Sequence, residues 1–244
     1  MKNRLDLALV ERGLVASRSR AQALIMEGRV RVNGQVERKA SRMLEDGVAV
    51  ELEAPPRFVS RGGDKLQGAF DLWPSLSADG RICLDVGSST GGFTDCLLQH
   101  GARMVMAVDV GTNQLAYTLR TDPRVWVREN DNARVMTGAD LPETPTLAVT
   151  DVSFISLRLI LPPIRDVLAS GGEIVALIKP QFEVGRGNAP GGLVRDERLR
   201  LAARDGIAAF AEHELGLEML GLAESPILGR EMGNIEYLSY WRKR

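Results

Sequence analysis

An apolar run that ends in an acid and opens into a glycine-rich loop constrains this chain more than any other feature. Residues Ile82-Cys83-Leu84-Asp85-Val86 read as a buried strand. Gly87-Ser88-Ser89-Thr90-Gly91-Gly92 follow as a loop, and Phe93 to His100 reads as a helix. Parallel-sheet enzymes place a nucleotide-like cofactor at such a strand-loop-helix turn. Further apolar runs fall at 104–109, 125–128, 147–151 and 173–179, with helix-like segments near 93–100, 113–120, 156–169 and 195–214. This alternation predicts an α/β fold, a mostly parallel Rossmann-like sheet with helices on both faces. Two last runs, 217–224 and 235–241, have no helical stretch between them. They predict a hairpin that sets one antiparallel strand into the sheet near the C-terminus.

The first residues follow a different logic. Residues 1–42 carry ten Lys or Arg against four Asp or Glu, although the whole chain has a net charge of −1. A basic head on an acidic body fits a polyanionic partner. Leu5, Leu9 and Val10 share one helical face that Gly13 can end. Ser17 is placed to cap a second helix carrying Ala21, Leu24 and Ile25, with Gly28 at its end. Val30 to Val36 reads as a hairpin around Asn33-Gly34, and Val48, Val50 and Leu52 alternate as a further strand. A small α+β domain over 1–55, a linker over 56–61 and a larger domain over 62–244 are therefore expected. The Pro55-Pro56 pair stiffens the junction.

No apolar run is long enough to span a bilayer, and Met1 to Asp6 lacks the apolar core of a signal peptide. A cytoplasmic protein with no membrane partner is expected. The two cysteines, Cys83 and Cys96, fall in the buried strand and the following helix without metal-ligand spacing. They read as reduced structural thiols, with no metal site.

The loop discriminates between cofactors. A dinucleotide fingerprint is G-x-G-x-x-G, whereas here Gly87 is followed by three residues and then Gly91-Gly92. Asp85 before the loop would repel a pyrophosphate but can pair with an ammonium group. S-adenosylmethionine carries an ammonium and a sulfonium and no phosphate. Asp109 ends the next strand, where a carboxylate can accept ribose hydroxyls, and Asp131 follows the third strand within reach of an adenine amine. Asp85, Gly87, Ser88, Thr90, Gly91, Gly92, Phe93, Asp109 and Asp131 are thus the candidate cofactor residues.

Four ionisable residues fall where sheet enzymes place chemistry. Asp151 ends the fourth strand run, and Lys179 ends the fifth, after Ile174-Val175-Ala176-Leu177-Ile178. A lysine at the end of a buried strand is costly unless paired or deprotonated. Glu236 opens the last strand, and Lys65 follows Ser60-Arg61-Gly62-Gly63-Asp64 into the helix before the sheet.

In that order and context, Lys65, Asp151, Lys179 and Glu236 resemble the Lys-Asp-Lys-Glu set of the FtsJ-type (RrmJ-like) ribose 2′-O-methyltransferases. The whole chain resembles the narrower TlyA family, known both as hemolysin A and as rRNA (cytidine-2′-O)-methyltransferases. Ser60 to Gly63, Asp85 to Thr94, Thr150 to Ser156, Ile178 to Glu183, Ser225-Pro226-Ile227 and Gly233 to Glu236 carry the match. Asp64 departs mildly, as an apolar or neutral residue is usual before the lysine. Residues 1–50 resemble the RNA-binding domain of the fourth small-subunit ribosomal protein, through Ser19-Arg20-Ala21, Leu24-Ile25, Gly28 and Val30 to Gly34.

The resemblance implies methyl transfer from S-adenosylmethionine to a cytidine ribose in 23S rRNA, with 16S rRNA a further target in some members. Termination soon after the last strand run resembles the shorter, 23S-only members. Lys179 is the expected general base, activated by an apolar setting and by Lys65 as a second cation. Asp151 and Glu236 would hold the lysines. Arg4, Arg18, Arg20 and Arg31 are the candidate RNA contacts, with ribosomal RNA or a ribosomal subunit as partner. The alternatives are a non-catalytic RNA-binding protein, a base methyltransferase and a membrane-active hemolysin. The intact loop and the four catalytic candidates argue against the first. No cysteine pair suited to nucleophilic base chemistry supports the second, and no spanning or strongly amphipathic basic helix supports the third.

Overall fold

Ser17 starts a helix as its position predicts, its hydroxyl accepting the Arg20 N–H at 3.3 Å in this computed structural model. The structure describes residues 3–45, 47–54, 56–185, 187–229 and 232–244. Met1 and Lys2 of the basic head and Pro55 at the expected junction lie outside these described residues. The chain separates into two units, Met1–Pro56 and Arg57–Arg244.

The first unit contains β1 (Asn3–Arg4), α1 (Leu5–Glu11), α2 (Arg18–Met26), β2 (Val30–Val32), β3 (Gln35–Glu37), β4 (Met43–Leu44) and β5 (Val50–Leu52). Leu5 and Leu9 of α1 and Ala21, Leu24 and Ile25 of α2 bury against Val30 and Val32. The hairpin of β2 and β3 turns through Asn33 at φ 51° and Gly34 at φ 77°. Two successive left-handed residues match the right-handed twist of the strands. β5 pairs with the other side of β2 and begins at Val50, leaving Val48 outside it. The two-residue pairing of β1 with β4 is too short to leave an alternating pattern in the sequence.

A buried acid organises this unit. Asp6 of α1 is inaccessible to solvent and accepts from Arg4 at 3.0 Å, Arg18 at 2.9 Å and Gln22 at 2.8 Å. The Arg4 hydrogen bond is the largest cause holding the Asp6 carboxyl far below the ordinary range, against the burial that opposes it. Asp6→Ala leaves three donors without their acceptor and is expected to cost about 2 kcal/mol, less than a fully buried pair because both arginines reach solvent. Since the folded-state value is depressed, this contribution is present above the unfolded carboxyl range and is lost as pH falls through the folded one. Urea unfolding of the two proteins at neutral pH and in acid checks both the gap and its narrowing.

The second unit contains α3 (Gly62–Leu72), β6 (Ile82–Val86), α4 (Gly92–Gln99), β7 (Met104–Val108), α5 (Tyr117–Arg120), β8 (Val125–Arg128), β9 (Leu147–Thr150), α6 (Leu161–Val167), β10 (Glu173–Ile178), α7 (Pro180–Glu183), α8 (Glu197–Ala209), β11 (Leu217–Glu224) and β12 (Tyr237–Lys243). Seven strands form one sheet in the order β11-β12-β10-β9-β6-β7-β8. All pairings from β10 to β8 are parallel, and β12 runs antiparallel to both its neighbours. Side chains alternate between two cores. Cys83, Val105 and Ala107 pack with Leu66, Ala69, Cys96 and Leu97 of α3 and α4. Leu84, Val86, Met106 and Val108 pack with Leu161, Ile164 and Ile207 of α6 and α8. β10 is buried at every position, as a strand covered on both faces requires. The strand order reverses between β6 and β9, which opens a crevice at their carboxyl ends.

The helix predicted near 113–120 is a correction. Only Tyr117–Arg120 is helical. Asn113 has φ 53°, and the amides of Asn113, Gln114 and Leu115 donate to the Glu129 carboxylate just past β8. A distant side-chain acceptor has replaced the local ladder that the apolar spacing suggested. The Arg120 hydrogen bond is the main cause lowering Glu129 to about 2, so it stays ionised and keeps those amides.

Candidate active site

Close backbone contact places the first catalytic candidate. A Cβ at Gly92 would lie 2.7 Å from the Gly63 nitrogen and 3.0 Å from Gly62 Cα. The N-termini of α3 and α4 therefore meet backbone to backbone, which only glycine permits. Gly91, which precedes α4, has φ 98°. A Cβ at Gly68 would lie 2.5 Å from the Pro226 ring. Ser60, Gly92 and Pro226 thus pack against α3, the helix that carries Lys65.

The four candidates converge. Lys65 Nζ lies 2.7 Å from Glu236 Oε2 and 3.8 Å from Asp151 Oδ2. Lys179 Nζ lies 2.6 Å from Asp151 Oδ1 and 2.8 Å from Ser153 Oγ. Lys65, Lys179 and Glu236 are buried and Asp151 is half-buried. Two cations and two anions make a formally neutral cluster, the arrangement in which buried charge is tolerated.

All four line one cavity of about 1280 Å³, together with Gly87, Ser88, Thr90, Gly92, Phe93, Asp109 and Asp131. Asp109 accepts the Ser89 and Gly111 amides, each at 2.7 Å, and so ties the glycine loop to the end of β7. Asp131 pairs with Arg128 at 2.8 Å. Asp85 and Gly91 do not line this wall. Asp85 is fully buried, with one oxygen accepting the Thr94 hydroxyl at 2.6 Å and the other without a hydrogen-bond partner among the described residues. A pyrophosphate here would face Asp109 and Asp131 with Asp85 close by, whereas a cationic amino-acid nucleoside would not be repelled. The residues present fit S-adenosylmethionine.

Burial is the main cause raising the Asp85 carboxyl to about 7, opposed by the Thr94 hydrogen bond. Its folded-state value lies above the unfolded one. Its stabilising contribution is therefore complete below the unfolded carboxyl range and is lost as pH rises through about 7. The melting temperature of the wild-type protein is expected to fall from pH 6 to pH 8 relative to that of Asp85→Asn. Parallel melting curves across that interval would refute the assignment.

Residues 58–243 match the FtsJ-like methyltransferase family, and residues 3–50 match the S4 domain. The chain belongs to the FtsJ-like methyltransferases. It is 43% identical over 242 residues to the 16S/23S rRNA (cytidine-2′-O)-methyltransferase TlyA of Mycobacterium tuberculosis, covering 98% of this chain and 89% of that one. A solved chain from Streptococcus thermophilus that carries the hemolysin name is 43% identical, with a TM-score of 0.76, covering 99% of this chain and 88% of that one. An S-adenosylmethionine-dependent methyltransferase from Mesorhizobium loti shares the fold at 15% identity and a TM-score of 0.53, covering 74% of this chain and 98% of that one. Among the described residues, no helix is long and apolar enough to cross a membrane.

Phe154 was given no role by its sequence. It is 83% exposed, sits at φ 65° and places its ring 5.2 Å from that of Phe182, and both rings line the cavity. A bulky residue in the left-handed region is strained by about 1–3 kcal/mol. The signal available was an aromatic three residues past a strand-end acid. In the S4 domain, Arg4 and Arg18 are engaged by Asp6, and Arg31 pairs with Glu53 at 2.6 Å. Arg20 is exposed, with no side-chain partner among the described residues.

Proposed function

We propose that this FtsJ-like protein works in the cytoplasm, transferring a methyl group from S-adenosylmethionine to the ribose 2′-oxygen of a cytidine in ribosomal RNA. The observation that carries this reading is the Lys65, Asp151, Lys179 and Glu236 cluster on the wall of the glycine-loop cavity. S-adenosylmethionine supplies, when bound, a methyl group on a positively charged sulfur, already activated for displacement. Asp109 and Asp131 would hold its nucleoside, and the Gly87 to Gly92 loop would hold its amino-acid end.

A ribose hydroxyl is a weak nucleophile near neutral pH. Lys179 takes the hydroxyl proton as the oxygen bonds to carbon. Lys65 supplies positive charge to the oxygen as negative charge develops there. Asp151 keeps Lys179 in reach of the hydroxyl, and Glu236 keeps Lys65 in place. Holding the oxygen in line behind the methyl carbon contributes much of the rate. Phe154 and Phe182 offer a surface on which the target base stacks. The S4 domain grips phosphates, which positions the RNA without reading its sequence.

The test is tritiated-methyl transfer to ribosomal subunits, with the modified ribose located by mapping. Lys179→Ala, still folded and still binding S-adenosylmethionine, is expected to lose roughly a hundredfold or more in rate. Retention of most activity would remove Lys179 from this role. Phe154→Ala is expected to weaken productive RNA binding by about 1–3 kcal/mol while leaving cofactor affinity unchanged. Separate titrations of RNA and cofactor read the two effects.

A further inference from the structure

The amine of Lys179 has two neighbours of different kinds. Asp151 Oδ1 lies 2.6 Å from Nζ as an ion pair, yet without hydrogen-bond geometry. Ser153 Oγ, at 2.8 Å, is a true acceptor of an Nζ–H. The distinction matters because an amine turns easily about its Cε–Nζ bond. Coulomb attraction falls off with distance and does not fix that rotation, whereas a hydrogen bond weakens steeply when misaligned. Asp151 supplies charge, and Ser153 supplies direction.

We propose that Ser153 is a positioning residue that sets the rotation of the Lys179 amine, so that its lone pair meets the attacking hydroxyl. The proposal rests on the methyltransferase reading and deepens it. On a tetrahedral nitrogen, Cε takes one position and the hydrogen bonded to Ser153 fixes a second. The remaining hydrogen and the lone pair are then confined to two known directions.

The placement of Ser153 is itself over-determined. It lies between Asp151 at the end of β9 and the left-handed Phe154. The far side of this loop is tied down by Glu183, which accepts the Ser156 hydroxyl at 2.5 Å and the Leu157 N–H at 2.9 Å. Glu183 ends α7, the helix that begins one residue after Lys179. Lys179, α7, Glu183, Ser156 and Ser153 therefore close a circuit that links the donor to its exposed acceptor. A serine that only filled space would need neither the direct contact nor this support.

The test compares the full chain with its Ser153→Ala and Ser153→Thr variants in two measurements. With ribosomal subunits and saturating S-adenosylmethionine, Ser153→Ala is expected to lower kcat roughly tenfold with an unchanged cofactor KM. Ser153→Thr, which keeps the hydroxyl, restores most of the rate. The second measurement is trace acetylation of Lys179 by acetic anhydride against pH, read by peptide mass spectrometry. Loss of an acceptor that favours the protonated amine moves the onset of labelling to lower pH in Ser153→Ala, and Ser153→Thr moves it back. An unchanged onset in Ser153→Ala overturns the proposal, even if kcat falls, because a structural role lowers rate without altering the amine. Labelling needs no turnover, so it judges Ser153 separately. Absence of methyl transfer by the wild-type protein would instead count against the methyltransferase reading.

Discussion

Asp151 standing between two lysines is the interaction on which the second unit depends. Its carboxylate lies within 2.6 Å of Lys179 and 3.8 Å of Lys65, and Glu236 completes the charge balance. Removing any one member would leave a buried charge uncompensated, which is far costlier than losing the whole set. The four residues come from α3, the end of β9, the end of β10 and the approach to β12. Their pairing therefore requires four separate segments to arrive together. Gly92 against Gly63 and Gly68 against Pro226 make that arrival sterically possible. Glu236, just before the antiparallel β12, supplies the last member.

The cavity opens at this end of the sheet because of where the strand order reverses. β6 leads chain to one side through β7 and β8, whereas β9 and β10 lie on the other. The glycine loop and Asp109 thus fall on one bank of the crevice, and Asp151 and Lys179 on the other. On the proposed reading, a methyl donor on the first bank would face a proton acceptor on the second. Asp109 helps hold the first bank through the Ser89 and Gly111 amides, and Glu129 holds the adjoining loop through three more.

Much of this architecture was legible because it is written in local patterns. The strand runs at 82–86 and 125–128 appear with the same bounds, since each is an apolar block closed by polar residues. Ser17 and the Asn33-Gly34 turn were legible because their chemistry acts within four residues. The failures share the opposite property. The helix expected near 113–120 was displaced by Glu129, up to 16 residues away. The engagement of the partly exposed Arg4 and Arg18 by Asp6 was hidden as well, because the burial of that acid comes from tertiary packing. Composition counts charges but not their partners, so the basic head carries fewer uncommitted arginines than its sequence suggests. Ser153 and Phe154 were hidden differently. Their types are common in loops, and only their contacts give them meaning.

Strain and support are coupled in this site. Phe154 holds a backbone conformation that bulky residues avoid, and the neutral cluster keeps three of its four ionisable groups buried. Neither would persist in a loosely held loop, because relaxation of the Asp151 to Ser156 segment would relieve both at once. Glu183 opposes that relaxation from α7, on the same short helix that follows Lys179. On the proposed reading, the Phe154 ring, the Ser153 hydroxyl and the Lys179 amine are linked through this one supported segment. Preorganisation of this kind moves the cost of ordering from the reaction to folding, where the sheet's two buried cores can absorb it.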